Sequence, residues 1–219
     1  MPTRVGTDTN WIAVASSPEA NVAFKDDGTI WRWGRVYSWS ENGAVRSETV
    51  EQPQQWLAFP GRQRPVSLSF DGYGVAAVCN DGSLWALTRA ASGWPGEGAA
   101  ETTKPQWVRQ GDATDWKQVV VEGLAPGVAI KRDGSMWRWK TIWHSRMRYR
   151  SLEQLSDYNV WASVCSYAGA YLSLGRDGSL CLWGQPEERA YFEPTSGGDR
   201  WLLAPTRLNA VEIADLARR

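Results

Sequence analysis

The 219-residue chain has one histidine, His144, and three cysteines, Cys79, Cys165 and Cys181. A lone histidine argues against catalytic triads, His-rich zinc sites and His-pair chemistry. Three cysteines cannot close a disulfide framework, and no two stand at metal-ligand spacing. A reducing, cytoplasmic setting is the expectation, with no metal and no cofactor. Neither charge is in excess: Lys plus Arg number 24 and Asp plus Glu number 24, which argues against broad nucleic-acid binding. No run of 18 apolar residues is present, so no membrane span is expected. Met1 to Asn10 lacks the basic end and apolar stretch of a secretory leader. No phosphate-cradling glycine loop, paired-carboxylate spacing or nucleophile elbow occurs, so an enzyme is not expected.

What the chain has in abundance is tryptophan, 15 residues, and they recur by a rule. Four segments align on an Asp-Gly dipeptide: Asp27-Gly28, Asp81-Gly82, Asp133-Gly134 and Asp177-Gly178. The aspartates are 54, 52 and 44 residues apart, the length of one propeller blade or solenoid unit. Each segment reads as a β-hairpin. An alternating strand such as Val22-Ala23-Phe24-Lys25 enters, and Asp-Gly followed by Thr or Ser turns. The returning strand carries a pair of large residues at i and i+2, on one face of the strand. The pairs are Trp31 and Trp33, Trp85 and Leu87, Trp137 and Trp139, and Cys181 and Trp183. Cys181 in a tryptophan position reads as a core residue and not as a reactive thiol.

A further strand precedes each hairpin: Trp11 to Val14, Val66 to Ser69, Trp116 to Val119 and Val160 to Val164. A fourth follows a proline at Gln54 to Leu57, Gln106 to Val108 and Thr206 to Leu208, since proline is tolerated at a strand's start. The third unit lacks that proline, and its segment is Tyr149 to Leu155. Four short antiparallel strands in each of four units predict an all-β fold, a small four-bladed β-propeller ring. The whole chain, 1–219, is read as one domain with repeats at 10–58, 65–109, 115–155 and 159–208. Residues 209–219 form a closing segment, as an added strand beside the first blade or as a short terminal helix.

The run apolar-Ala-apolar-x-x-Asp-Gly-Ser/Thr-apolar-Trp-x-Trp-Gly, with Trp-x-x-Val upstream, resembles the repeats of the regulator-of-chromosome-condensation family, most closely its bacterial members. The resemblance spans about residues 10 to 208 and implies propeller blades. The family's familiar members carry about seven blades, whereas four repeats are counted here. Two accounts remain open: a compact four-bladed ring, or an open arc completed by a second copy of the chain. The family includes nucleotide-exchange factors, an extracellular β-lactamase inhibitor and many bacterial propellers. The resemblance implies a protein partner on one face of the ring, and fold alone does not choose among these roles.

Long, mutually dissimilar connections follow the second hairpin strands, at about 34–53, 88–104, 140–155 and 184–200. The strands are alike and the connections are not, the arrangement of a rigid scaffold that displays recognition loops. Their candidate partner-binding residues are Tyr37, Trp39, Trp94, Trp143, His144, Arg146, Arg148, Tyr149, Arg150 and Tyr191. Tryptophan, tyrosine and arginine dominate interface hot spots. Arg138, Lys140, Arg146, Arg148 and Arg150 lie together with no acidic residue among them, which suits an acidic patch on a protein. Plugging of the ring mouth by the loop tryptophans, and a solvated strand face for the arginines, are the plainer alternatives. The expected function is a non-catalytic protein-binding propeller, such as an inhibitor or immunity protein of a bacterial enzyme or toxin. A lectin-like propeller stacking sugars on exposed tryptophans is the alternative, disfavoured because the loops carry no common residues.

Overall fold

The computed structural model describes residues 4–39, 45–72, 74–88, 106–122, 125–139, 152–155, 160–167, 170–184 and 206–207. They form four antiparallel four-stranded sheets, and no helix occurs among them. Blade 1 comprises β1 (Trp11–Ser16), β2 (Ala20–Lys25), β3 (Thr29–Trp39) and β4 (Val45–Ala58). Blade 2 comprises β5 (Pro65–Phe70), β6 (Val75–Cys79), β7 (Leu84–Thr88) and β8 (Gln106–Arg109). Blade 3 comprises β9 (Trp116–Glu122), β10 (Ala125–Lys131), β11 (Met136–Trp139) and β12 (Leu152–Gln154). Blade 4 comprises β13 (Trp161–Tyr167), β14 (Ala170–Gly175), β15 (Leu180–Gly184) and β16 (Thr206–Arg207). Each sheet is a simple meander in chain order. The first strands β1, β5, β9 and β13 stand in succession along the inner side. The fold is the expected all-β one of four four-stranded propeller blades.

The four Asp-Gly turns share one construction. Gly28, Gly82, Gly134 and Gly178 have φ between +78° and +94°, the left-handed region that a tight hairpin requires and that only glycine enters at no steric cost. At Gly82 the reason is doubled, because an added Cβ would lie 1.8 Å from the Thr114 carbonyl oxygen. The aspartate Oδ1 accepts two hydrogen bonds from the residue two places on, one from its N–H and one from its hydroxyl. For Asp27 and Thr29 these are 2.8 and 2.6 Å; for Asp133 and Ser135 both are 2.7 Å; for Asp177 and Ser179 they are 2.9 and 2.6 Å. Asp81 and Ser83 pair in the same way.

In three blades the relay runs one step further. The indole Nε1–H of Trp31 donates to the Thr29 hydroxyl at 2.7 Å, Trp85 to Ser83 at 2.8 Å and Trp137 to Ser135 at 2.9 Å. The tryptophan therefore keeps its one polar atom bonded while its ring packs on the sheet. In blade 4 Cys181 replaces the tryptophan and is buried, as a core residue.

The turns also join the blades. The Gly82 carbonyl accepts the N–H of Trp116, the first residue of the next blade, and the Gly134 carbonyl accepts that of Trp161, each at 3.1 Å. Ser67 and Ser69 of β5 accept the Val119 and Val121 N–H groups of β9. Gln118 of β9 bonds both the N–H and the carbonyl of Val164 on β13. Between blades 2 and 3, Ala76, Val78, Leu84 and Ala86 pack on Trp116, Val119, Ala129 and Trp139. Between blades 3 and 4, Val128, Ile130 and Met136 pack on Trp161, Val164, Tyr171 and Cys181. Between blades 1 and 2 the wedge is Phe59, whose ring centroid lies 5.7 Å from Phe24, 5.4 Å from Trp85 and 4.9 Å from Trp107. Burying each such valine, leucine, isoleucine, methionine or phenylalanine contributes about 1.5–3 kcal/mol.

Two stability outcomes follow from the relay. Ser135 is buried, so Ser135→Ala strips the acceptor from Trp137 and should cost ~1–3 kcal/mol in urea unfolding, whereas Ser179→Ala, with no indole to satisfy, should cost less. Equal losses would remove the indole bond from the account. The relay also sets an acid limit. The hydrogen bonds from Thr29 hold the Asp27 carboxyl below its ordinary 3.8, and those from Ser135 do the same for Asp133. At Asp81 partial burial pushes upward, but the two bonds from Ser83 outweigh it and the net shift is downward. A folded-state value below the unfolded one gives stability that is fully present above the unfolded value and is lost as pH falls through the folded values. The urea midpoint should therefore be flat near neutrality and fall below about pH 4. The slope should be shallower in Asp133→Asn, and an unchanged slope would separate these carboxylates from acid unfolding.

Candidate functional site

The connection after the second hairpin strand leaves each blade at the end opposite the Asp-Gly turn. In blade 1 this segment, 34–53, was expected as a loop and is instead a ladder. Gly34 pairs with Val50, Arg35 with Thr49, Val36 with Glu48, Tyr37 with Ser47, Ser38 with Arg46 and Trp39 with Val45. Because β2 begins at Ala20, opposite Gly34, the pairs beyond Gly34 form a two-stranded arm that outruns the rest of the sheet by about five residues, roughly 17 Å at strand rise. Val36 and Val50 are buried at its root with Ala20, and Trp33 and Phe70 cover them. The Arg35 N–H donates to the Glu19 carbonyl at 2.8 Å, and the two side chains form an ion pair at 3.7 Å.

Gly34 is the pivot of the arm. Its φ is +99°, and a Cβ there would lie 2.5 Å from the Glu19 carbonyl oxygen and 2.8 Å from the Ala20 Cα. Only glycine lets β3 pass so close to the β1–β2 turn. Tyr37 and Trp39 thus occupy alternate register positions on the arm strand β3, and of the candidate binding residues these two have a backbone position. Trp94, Trp143, His144, Arg146, Arg148, Tyr149, Arg150 and Tyr191 lie outside the described residues, as do Lys140 and the closing segment 209–219. Trp183 sits on β15 opposite Tyr171 in the ladder.

One member of the basic run is accounted for. The Arg138 Nε–H donates to the Glu153 carboxylate on the neighbouring strand β12, so Arg138 is balanced within its blade and is not a free charge on the loop face. Sequence reasoning missed Glu153 because the partner comes from across the ladder, 15 residues on.

On the opposite end of the molecule, two lysines lie between tryptophan rings. Lys25 Nζ stands 3.7 Å from the Trp31 ring centroid and 4.7 Å from that of Trp11, and it pairs with Asp8 at 2.7 Å. Lys131 Nζ repeats this at 5.0 Å from both Trp116 and Trp137, and it pairs with Asp115 at 3.0 Å. These cation–π contacts hold the ring pairs of blades 1 and 3. Blades 2 and 4 have Cys79 and Gly175 in the lysine position. A shallow cleft between blades 2 and 3 is lined by Arg109, Gln110, Asp112, Trp116, Lys131 and Trp137.

Among the described residues no group of three or more His, Cys, Asp or Glu side chains could hold a metal ion. No helix among them is long and apolar enough to cross a membrane. Burial pushes the Cys79 thiol up to about 12, which leaves it protonated and unreactive at neutral pH. The described residues display a strand frame with a long arm in blade 1. Gly34→Ala should cost ~1–3 kcal/mol in chemical denaturation through clash and backbone strain at the arm root. A neutral substitution would show that the arm does not pivot there.

No family model matches the chain, and no curated protein does. Solved structures do. Yeast RCC1 (Prp20), in a structure described as bound to Kap60, is 15% identical, covers 91% of this chain and 49% of its own, and superposes with a TM-score of 0.61. A second structure of Prp20p from Saccharomyces cerevisiae, whose description mentions binding to Gsp1p and histones, gives 15% identity, 91% and 50% coverage and a TM-score of 0.58. Human WBSCR16 gives 15%, 82% and 48%, with 0.56. The chain spans about half the length of each of these proteins. The likeness that the Asp-Gly-Ser/Thr-x-Trp repeats imply is thus present in three dimensions, and the chain has the blade fold of the RCC1-like propellers.

Proposed function

We propose that this protein is a non-catalytic protein-binding propeller that docks a partner on the face from which the β3–β4-type connections emerge. The observation that carries the reading is the contrast between frame and display. Four blades repeat one Asp-Gly turn and one strand order, while the connection of blade 1 extends into a paired arm with Tyr37 and Trp39 on its strand β3. A frame stiffened from within can hold dissimilar segments in fixed relative positions, which lowers the entropic cost of binding. Support also comes from the structural neighbours, whose descriptions place Kap60 on one and mention Gsp1p and histones for the other. The finer reading is an inhibitor or immunity protein that covers a bacterial enzyme or toxin. Aromatic anchors fill pockets on the partner, and Arg146, Arg148 and Arg150 meet an acidic patch.

The test is capture from native lysate with the purified chain as bait, beside two variants, Tyr37→Ala with Trp39→Ala and Trp143→Ala with Arg148→Ala. One dominant protein retained by the parent chain and lost with both variants, at unchanged thermal unfolding, is the expected result. If that protein is an enzyme or toxin, its activity should fall stoichiometrically as the chain is added. Equal capture by all three baits would remove this face from the account.

A further inference from the structure

The three blade junctions show what each face of a blade requires, and the two ends of the array leave one face of each kind uncovered. On the face toward the following blade, Phe24, Val78 and Ile130 are equivalent positions in blades 1 to 3, and each is 0% exposed. Their equivalent in blade 4, Leu174, is 38% exposed. The neighbouring positions repeat the pattern. Val22, Ala76 and Val128 are sealed, and so are Ile30, Leu84 and Met136, whereas Leu172 and Leu180 of blade 4 are only half-buried. The face toward the preceding blade behaves in the same way. Val119 and Val164 are each 2% exposed against the blade before them, and their equivalent in blade 1, Val14, is 66% exposed. Trp116 and Trp161 are buried at the same junctions, but Trp11 is half-buried, and Trp33 is half-buried where its equivalents Leu87 and Trp139 are buried.

Among the described residues, blades 4 and 1 therefore do not cover one another. Among the described residues, the apolar clusters join blade 1 to 2, 2 to 3 and 3 to 4, and none joins 4 to 1. The uncovered faces are complementary by construction. Each junction sets an apolar following face, aliphatic in blades 2 and 3 and with Phe24 in blade 1, on a preceding face that carries Leu68, Val119 or Val164 at the Val14 position and, in all but one instance, a tryptophan at the Trp31 position. Blade 4 presents the first kind in Leu172, Leu174 and Leu180. Blade 1 presents the second in Trp11, Val14, Trp31 and Trp33. An exposed edge of this sort is also a pairing hazard unless it is occupied.

We propose that a second copy of this chain occupies both ends. Blade 4 of one protomer packs on blade 1 of its partner, and the reverse contact closes a single ring of twice four blades. Propellers reach this size, with roughly four to eight blades. A head-to-tail contact of this kind closes when the rotation per subunit completes the circle, here in two steps. The interface is the same junction already seen three times within the chain, continued between chains.

Sedimentation equilibrium tests it, with Val14→Asp and Leu174→Asp as variants. Both side chains are exposed enough for the monomer to fold with them, and circular dichroism verifies this. The parent chain should sediment at twice the chain mass and each variant at the chain mass. An equimolar mixture of the variants should regain a dimer, because the intact blade 4 of Val14→Asp still meets the intact blade 1 of Leu174→Asp. A monomeric parent chain overturns the proposal and leaves the ends to the chain's own closing segment. A dimer that survives either substitution alone, or variants that fail to complement, overturns the head-to-tail geometry. Loss of the loop-face residues leaves this readout unchanged, so failure here and failure of partner docking are distinguishable.

Discussion

The fold depends on a short hydrogen-bond relay at the hairpin tips, in which an aspartate carboxylate holds a hydroxyl and, in blades 1 to 3, the hydroxyl holds an indole. The relay does three things at once. It fixes a turn in which glycine takes a positive φ. It fixes the orientation of a tryptophan whose ring, in blades 2 and 3, forms the wall of a blade junction. In blades 2 and 3 it also presents the turn glycine's carbonyl to the first N–H of the next blade. A local motif thereby sets a long-range contact, and repetition of the motif yields an array. Each of the relay's aspartates is engaged by its own Thr or Ser two residues on.

The two sides of the array differ in kind. At the Asp-Gly end, residues are held by one another: Lys25 by two indoles and Asp8, Lys131 by two indoles and Asp115. At the other end, blade 1 extends into an arm whose root is packed and whose outer pairs are joined chiefly to each other. A stiff frame with an extended display is the arrangement that suits recognition.

The strands were legible because their signals are local and repeated. Asp-Gly-Ser/Thr-x-Trp fixes both the turn and the hairpin face in a single reading frame, and four copies in register leave little freedom in the fold. The arm was misread as a loop although its signals are present. Val36, Ser38, Val45, Ser47 and Thr49 alternate about Asn42-Gly43, a strong hairpin dipeptide. Comparison of the four connections with one another hid the pairing within the first. Phe59 was missed because it follows a strand and belongs to no repeat position, yet it is the wedge between blades 1 and 2. Glu153 was missed because ion-pair partners across a ladder carry no spacing rule. The open end faces could not be seen at all, since Val14 and Val164 are the same residue type at the same repeat position and only neighbours distinguish them.

The most direct test of the relay is hydrogen exchange at the tryptophan indoles, read one by one by nuclear magnetic resonance with ¹⁵N labelling and single Trp→Phe assignments. The account predicts slow exchange for the Nε1–H groups of Trp31, Trp85 and Trp137, and faster exchange for Trp137 when Ser135 is replaced by alanine. Indole protons at all three positions that exchange as fast as free tryptophan would contradict it.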